Sequence, residues 1–209
     1  VLQQQTLVSF WGKSSPNDNI QIKGSWGEIS NIKSNEQGEW ELKLSTPKAG
    51  GPYEVKVNDS KTSIIYKDVL IGEVWLASGQ SNMEMPMKGF KYARVHELIE
   101  GADEEISNAN FPAIRMFTVK RIIAYTPQDN VEGEWIVCSP ESISEFSAVA
   151  YFFGKKLHEE LGVPIGLIHS SWGGSPAESW ARTDFIEKIK GFEAVSYTHL
   201  RAHETRGKI

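Results

Sequence analysis

Asp68-Val-Leu-Ile-Gly-Glu-Val-Trp-Leu-Ala77, running on into Ser78-Gly-Gln-Ser-Asn-Met83, is the stretch that decides the fold. The run is rich in β-branched and large apolar residues and short for a helix, so it reads as a strand of a mostly covered sheet. In open α/β sheets ligands bind beyond the carboxyl ends of the strands, which would turn Ser81 toward such a crevice, and Gly79 would supply backbone angles that a side chain resists. Ser and Asn after a strand also form turns and helix N-caps, and on Gly79-Gln80-Ser81-Asn82-Met83 alone that reading is the stronger one. The nucleophile elbow Gly-x-Ser-x-Gly does not fit, because Met83 stands where its second glycine belongs.

Toward the amino terminus the pattern is one of short strands. Leu7 to Trp11, Glu39 to Leu44, Tyr53 to Val57 and Thr62 to Tyr66 are separated by the turn-forming clusters Ser14-Ser-Pro-Asn-Asp-Asn19, Asn35-Glu-Gln-Gly38 and Lys48-Ala-Gly-Gly-Pro52. Residues 1–66 are therefore expected to form a small all-β unit. After Asp68 strands alternate with helical stretches, which predicts an α/β layer structure with a largely parallel sheet over 67–193. The clearest helix is Ser147 to Leu161. Val149, Phe152, Phe153 and Leu157 fall near one face, Lys155, Lys156, Glu159 and Glu160 can stay wet, and Gly162 stops it. Pro164-Ile-Gly-Leu-Ile-His169 follows as another short strand and delivers the chain into Ser170-Ser-Trp-Gly-Gly-Ser-Pro-Ala-Glu-Ser-Trp180. The acidic residues Asp103 to Glu105 are most simply a solvated loop or helix end.

Bulk properties narrow the function classes. A net charge of −5 with scattered basic residues lacks the positive footprint that nucleic-acid binding needs. One cysteine, Cys138, excludes an internal disulfide and a Cys-pair zinc site, and its default reading is a buried structural thiol. No apolar stretch approaches a membrane span, and the first residue is Val1, so no intact signal peptide is visible; a fragment or processed chain is expected.

Ester hydrolysis through serine needs an activated hydroxyl and donors aimed at the oxygen that turns negative. Ser81 offers the hydroxyl and, through its backbone N–H, one donor. Gly173-Gly174, at the end of a strand in the same expected sheet, offers another, because a backbone without side chains approaches a ligand closely; an isolated Gly-Gly pair is otherwise a flexible turn. The two segments Asp68 to Glu84 and Ile165 to Trp180, with Val1-Leu-Gln-Gln-Gln5, Phe10-Trp-Gly12 and Lys48-Ala-Gly-Gly-Pro-Tyr-Glu54, closely resemble the sialate O-acetylesterase family, carbohydrate esterases of the SGNH hydrolase type. The resemblance covers most of the chain up to about Glu193. It implies a three-layer α/β/α hydrolase domain preceded by a β-sandwich-like region, removal of O-acetyl groups from sialic acid or related sugars, and no metal or organic cofactor. It implies Ser81 as nucleophile, Gly174 as the foremost oxyanion glycine with Gly173 second, and Gly79, Gln80 and Asn82 as support of the nucleophile turn. A periplasmic or secreted, glycan-facing protein is the corresponding expectation; the oligomeric state is left open.

Two family elements are missing from this sequence. The family's Asp-x-x-His pair, which supplies the base and its orienting carboxylate, has no counterpart, and neither has its Gln-Gly-Glu segment. The chain is expected to be the amino-terminal part of an esterase, inactive by itself. The histidines offer no clear substitute: His96 and His158 fall in expected helices, and His169 reads as a packed strand residue. His199 and His203 have an i, i+4 metal-ligand spacing without the further ligands. They sit in Ser196-Tyr-Thr-His-Leu-Arg-Ala-His-Glu-Thr205, which resembles translated sequencing adaptor, so 194–209 is expected to be non-native. Acetyl xylan esterases and other carbohydrate deacetylases share the serine-glycine arrangement. A non-catalytic carbohydrate-binding protein is the alternative from another class, with Trp11, Trp26, Trp40 and Trp75 as stacking surfaces, although tryptophans at strand spacing are more often core.

Overall fold

The structure, a computed structural model, describes residues 1–92, 95–124, 128–181, 185 and 188–189. The first half is all strand: β1 (Leu2–Gln3), β2 (Leu7–Lys13), β3 (Asn19–Gly24), β4 (Ile29–Lys33), β5 (Glu39–Ser45), β6 (Gly50–Asn58) and β7 (Ser63–Gly79). The second half mixes elements, with α1 (Ser81–Glu84), β8 (Phe90–Tyr92), β9 (Val95–Glu97), α2 (Ala102–Asn108), β10 (Phe111–Thr118), β11 (Trp135–Cys138), α3 (Pro140–Ile143), α4 (Ala148–Leu161), β12 (Ile165–Ser171) and a closing 3-10 turn, Ala177–Trp180. His96 lies in β9, a strand and not the expected helix.

β7 joins the two halves. The sequence suggested two strands on either side of Lys67, but the structure makes one strand of 17 residues, with Asp68 at φ +56° and the register against β6 shifting nearby. An aspartate tolerates that left-handed angle, so the strand bulges and continues. Its first part pairs antiparallel with β6, which leads on to β3 and β4. Its last part, Glu73 to Gly79, pairs in parallel with β12, which is itself parallel to β10. The sheet order is β11-β10-β12-β7-β6-β3-β4, with the short β1 beside β7. The parallel trio β10, β12 and β7 is the α/β sheet read from the sequence.

In the front half, β2 and β5 form a separate antiparallel pair. The alternation along β5 puts Leu42 and Leu44 inward, where they meet Ile22 of β3 and Val55 of β6. That is the sandwich-like packing of two sheets across an apolar layer. Trp26 and Trp40 pack against this layer, whereas Trp11 is 65% exposed. The strands β3 and β4 were not anticipated, because between 19 and 33 only Ile20, Ile22, Trp26, Ile29 and Ile32 interrupt a polar stretch.

The second core lies between the parallel sheet and α4. Ile114 and Met116 of β10, Ile165 and Leu167 of β12, and Tyr151 of α4 are fully buried. Each such side chain contributes roughly 1.5–3 kcal/mol by leaving water. α4 begins at Ser147, whose Oγ accepts the Ala150 N–H at 3.2 Å, and ends at Gly162 as the sequence predicts. Its buried face differs from the expectation: Ala148, Ala150, Tyr151 and Gly154 point inward, while Val149, Phe152 and Phe153 are 41–48% exposed. The cause is close approach. A Cβ on Gly154 would lie 2.6 Å from Leu167 Cδ1, so the helix comes nearest to β12 along its small residues. Phe153 instead meets Trp75 edge to face at 5.2 Å. Trp75 and Leu76 are exposed, against the expectation of a covered strand, since among the described residues Glu73 to Gly79 has a strand neighbour on one side only.

The acidic residues near 103 open α2, and Glu105 turns inward to accept from Tyr151 Oη and Lys155 Nζ, both at 2.5 Å. Desolvation pushes Glu105 up, but these two partners hold it below its ordinary value. Cys138 is buried nearby, and burial pushes its thiol up to about 11.

Candidate active site

The parallel pairing of β7 with β12 runs as far as Ser171 opposite Gly79, so both strands end side by side at their carboxyl ends. The two turns that follow are stitched together. The Trp172 N–H donates to Gly79 O at 3.0 Å, and Gln80 Nε2 donates to Ser175 O. Gly79 has φ +150° and Gly174 φ +75°, angles that favour glycine. Ser81 opens the single turn of α1 and is exposed. A Cβ on Gly173 would lie 3.5 Å from both Cα and Cβ of Ser81. The fold thus brings together the two turns singled out in the sequence, Ser81 with its flanks Gly79, Gln80 and Asn82, and Gly173 with Gly174.

Within that pair of turns the residues differ. Gln80 ties the serine turn to the glycine turn. Asn82 is exposed, and among the described residues nothing hydrogen-bonds its side-chain amide. The Gly173 N–H is directed to Glu84 Oε2, while Gly174 is exposed with open space around it. Glu84 Oε1 also pairs with Arg121 Nη2 at 2.8 Å, and Arg121 Nε donates to Ser171 O at 3.2 Å. Glu84 closes the quoted motif, yet nothing in the sequence linked it to residue 173; Arg121 gave no signal at all.

The two histidines with described side chains are engaged elsewhere. His158 Nδ1 contacts Val163 O at 2.8 Å. His169 is buried beneath the turns, its Nε2 2.5 Å from Ser171 Oγ and its ring edge-on to Phe146. Burial, and then the Arg121 guanidinium, hold its imidazole below the ordinary value, so it is neutral at pH 7. His199, His203 and the stretch from 190 onward lie outside the described residues. Among the described residues no three His, Cys, Asp or Glu side chains gather as metal ligands, and no helix is long and apolar enough to cross a membrane.

The chain is 32% identical over 201 residues to the human (Homo sapiens) sialate O-acetylesterase, a match covering 87% of this chain and 36% of that protein. It is 33% identical over 154 residues to the Rattus norvegicus sialate O-acetylesterase, covering 68% and 27%. The chain belongs to the sialate O-acetylesterase family. It spans about a third of the length of the curated members it matches. A crystal structure of a carbohydrate acetylesterase from Xanthomonas citri superposes with a TM-score of 0.80 at 36% identity, over 90% of this chain and 42% of that one. The chain therefore has the SGNH-type mixed α/β sheet with a β-rich front region. No protein-family model matches it.

Proposed function

We propose that the protein carrying this chain is a serine esterase that removes O-acetyl groups from sialic acid or a related sugar. Ser81 is the nucleophile, and the backbone N–H groups of Ser81 and Gly174 are oxyanion donors. The observation that carries the proposal is the meeting of two turns at the carboxyl ends of adjacent parallel strands, where Gly173 abuts Ser81. The names of the relatives, sialate O-acetylesterase and carbohydrate acetylesterase, support the reaction type.

In this reading Ser81 Oγ attacks the acetyl carbonyl carbon, and the carbonyl oxygen gains the negative charge that the two N–H groups accept. The sugar hydroxyl leaves with a proton, and water then releases acetate from the acyl-serine. Since the Gly173 N–H is spent on Glu84, the exposed Gly174 is the better placed of the two glycines. Gln80, bonded to Ser175, keeps the two turns in register. The base that takes the Ser81 proton is supplied by neither His158 nor His169, whose bonded nitrogens face Val163 and Ser171. The 209-residue chain is accordingly expected to hydrolyse an aryl acetate slowly.

The test is acetate release from an O-acetylated sialic acid by the full-length protein. Ser81→Ala should lower kcat by about six orders of magnitude; release that survives the substitution would overturn the assignment. The Xanthomonas citri neighbour is a carbohydrate acetylesterase, a name that specifies no sugar, so acetylated xylan is a second substrate to compare. A non-catalytic carbohydrate-binding reading rests on Trp11 and Trp75, which stay exposed when Trp26 and Trp40 are packed away. Glycan binding without any acetate release would favour that reading.

A further inference from the structure

We infer that Glu84 and Arg121 are positioning residues that lock the glycine turn against the nucleophile turn, taking the Gly173 N–H and leaving that of Gly174 for substrate. The inference deepens the esterase reading and rests on it for the purpose of the clamp, but the clamp itself is testable without turnover.

Three chain segments meet at one carboxylate. Glu84 is the last residue of α1, three residues after Ser81, and its backbone N–H bonds Gln80 O at 2.9 Å, so its Cα is fixed relative to the nucleophile. One oxygen accepts from the Gly173 N–H, and the other faces Arg121 Nη2 at 2.8 Å. Arg121, just beyond β10, also donates to Ser171 O at the end of β12. The Glu84 side chain is only 15% exposed, so its bond to the Gly173 N–H is little screened, whereas Arg121 is 45% exposed and its ion pair is screened more; hydrogen bonds to a charged acceptor are about twice as strong as neutral ones.

The geometry explains why position 173 carries glycine. A Cβ there would sit 2.8 Å from Glu84 Oε2 and would press the carboxylate away from the N–H it holds. An oxyanion donor must be pre-aimed, because reorientation during the reaction would consume the stabilisation it gives. A turn of Trp-Gly-Gly-Ser has little intrinsic stiffness. Anchoring its first glycine to α1 restricts the second glycine relative to Ser81, and the Gln80 to Ser175 bond holds the far side of the same turn.

Amide hydrogen exchange on the 15N-labelled 209-residue chain reads this directly. In the wild type the Gly173 amide should be protected although it lies in a turn. Glu84→Ala should speed its exchange by about 10- to 100-fold, and Glu84→Gln, which keeps an acceptor and loses the charge, by about 10-fold or less. Arg121→Ala should also raise Gly173 exchange, and it serves where a Glu84 substitution fails to fold. Core amides of β10 and β12 should not change, which separates loss of the clamp from general destabilisation. A Gly173 amide that exchanges freely in the wild type, or at an unchanged rate in a folded Glu84→Ala or Arg121→Ala chain, overturns the inference. The esterase reading fails separately, through acetate release that persists in Ser81→Ala.

Discussion

Gly72 is the position at which a single methyl group should do the most damage. It is buried in β7, where that strand leaves β1 and takes up β12. A Cβ added there would lie 1.9 Å from Pro164 O and 2.7 Å from Pro164 C, both backbone atoms at the entrance to β12. A carbon and a carbonyl oxygen in contact keep about 3.3 Å, so the carbonyl has to retreat by about 1.4 Å. That movement breaks the bond from the Glu73 N–H to Pro164 O, now 3.0 Å. Leaving a buried N–H unpaired costs about 1–3 kcal/mol, and forcing extra volume into a packed site costs a similar amount. The lower chain entropy of alanine in the unfolded state returns about 0.4–1 kcal/mol. Gly72→Ala should therefore lose about 3 kcal/mol, with a Tm roughly 6–12 °C lower for a chain of this size. Urea unfolding followed by tryptophan fluorescence measures the loss. A change below about 1 kcal/mol would mean that β12 can slide away from β7 without penalty, and the account of how Gly173 is delivered to Ser81 would fall with it.

Two further outcomes follow from groups outside the two turns. Because His169 is held below its ordinary value in the fold, the unfolded chain binds the proton first as pH falls. The stability owed to neutral His169 is complete above about pH 6.5 and is lost as pH drops from there toward the folded value. Thermal melts should fall more steeply between pH 7.5 and pH 5 for the wild type than for His169→Gln; parallel slopes would refute the assignment. The Cys138 thiol, buried and pushed up to about 11, should react with an aromatic disulfide at pH 8 only as fast as the chain opens, and stoichiometric reaction within the mixing time would show that it is not enclosed.

How much was legible in the sequence varies with the range of the interaction involved. β5 could be read from its alternation, and α4 from its length with Ser147 before it and Gly162 after it, because both signals arise within a few residues. The inward face of α4 could not. Val149, Phe152 and Phe153 have the expected spacing, yet the helix seats itself on Ala150, Tyr151 and Gly154, since the surface it meets rewards close approach more than side-chain size. The strand expected to be covered leaves Trp75 and Leu76 exposed for a related reason: burial depends on the neighbour, and Glu73 to Gly79 has one strand partner among the described residues.

The candidate site divides in the same way. From the residues alone come a serine turn after a strand, a Gly-Gly turn after another, and a family resemblance joining them. The folded structure alone settles that these turns touch, because 85 residues lie between Gly79, the last of β7, and Ile165, the first of β12. It also shows that Glu84 holds the Gly173 N–H and that Arg121 reaches both Glu84 and Ser171 O. A periodic pattern records what each residue needs from water or from its near neighbours, and it carries no address for the partner; the address comes from which strands pair and in what register.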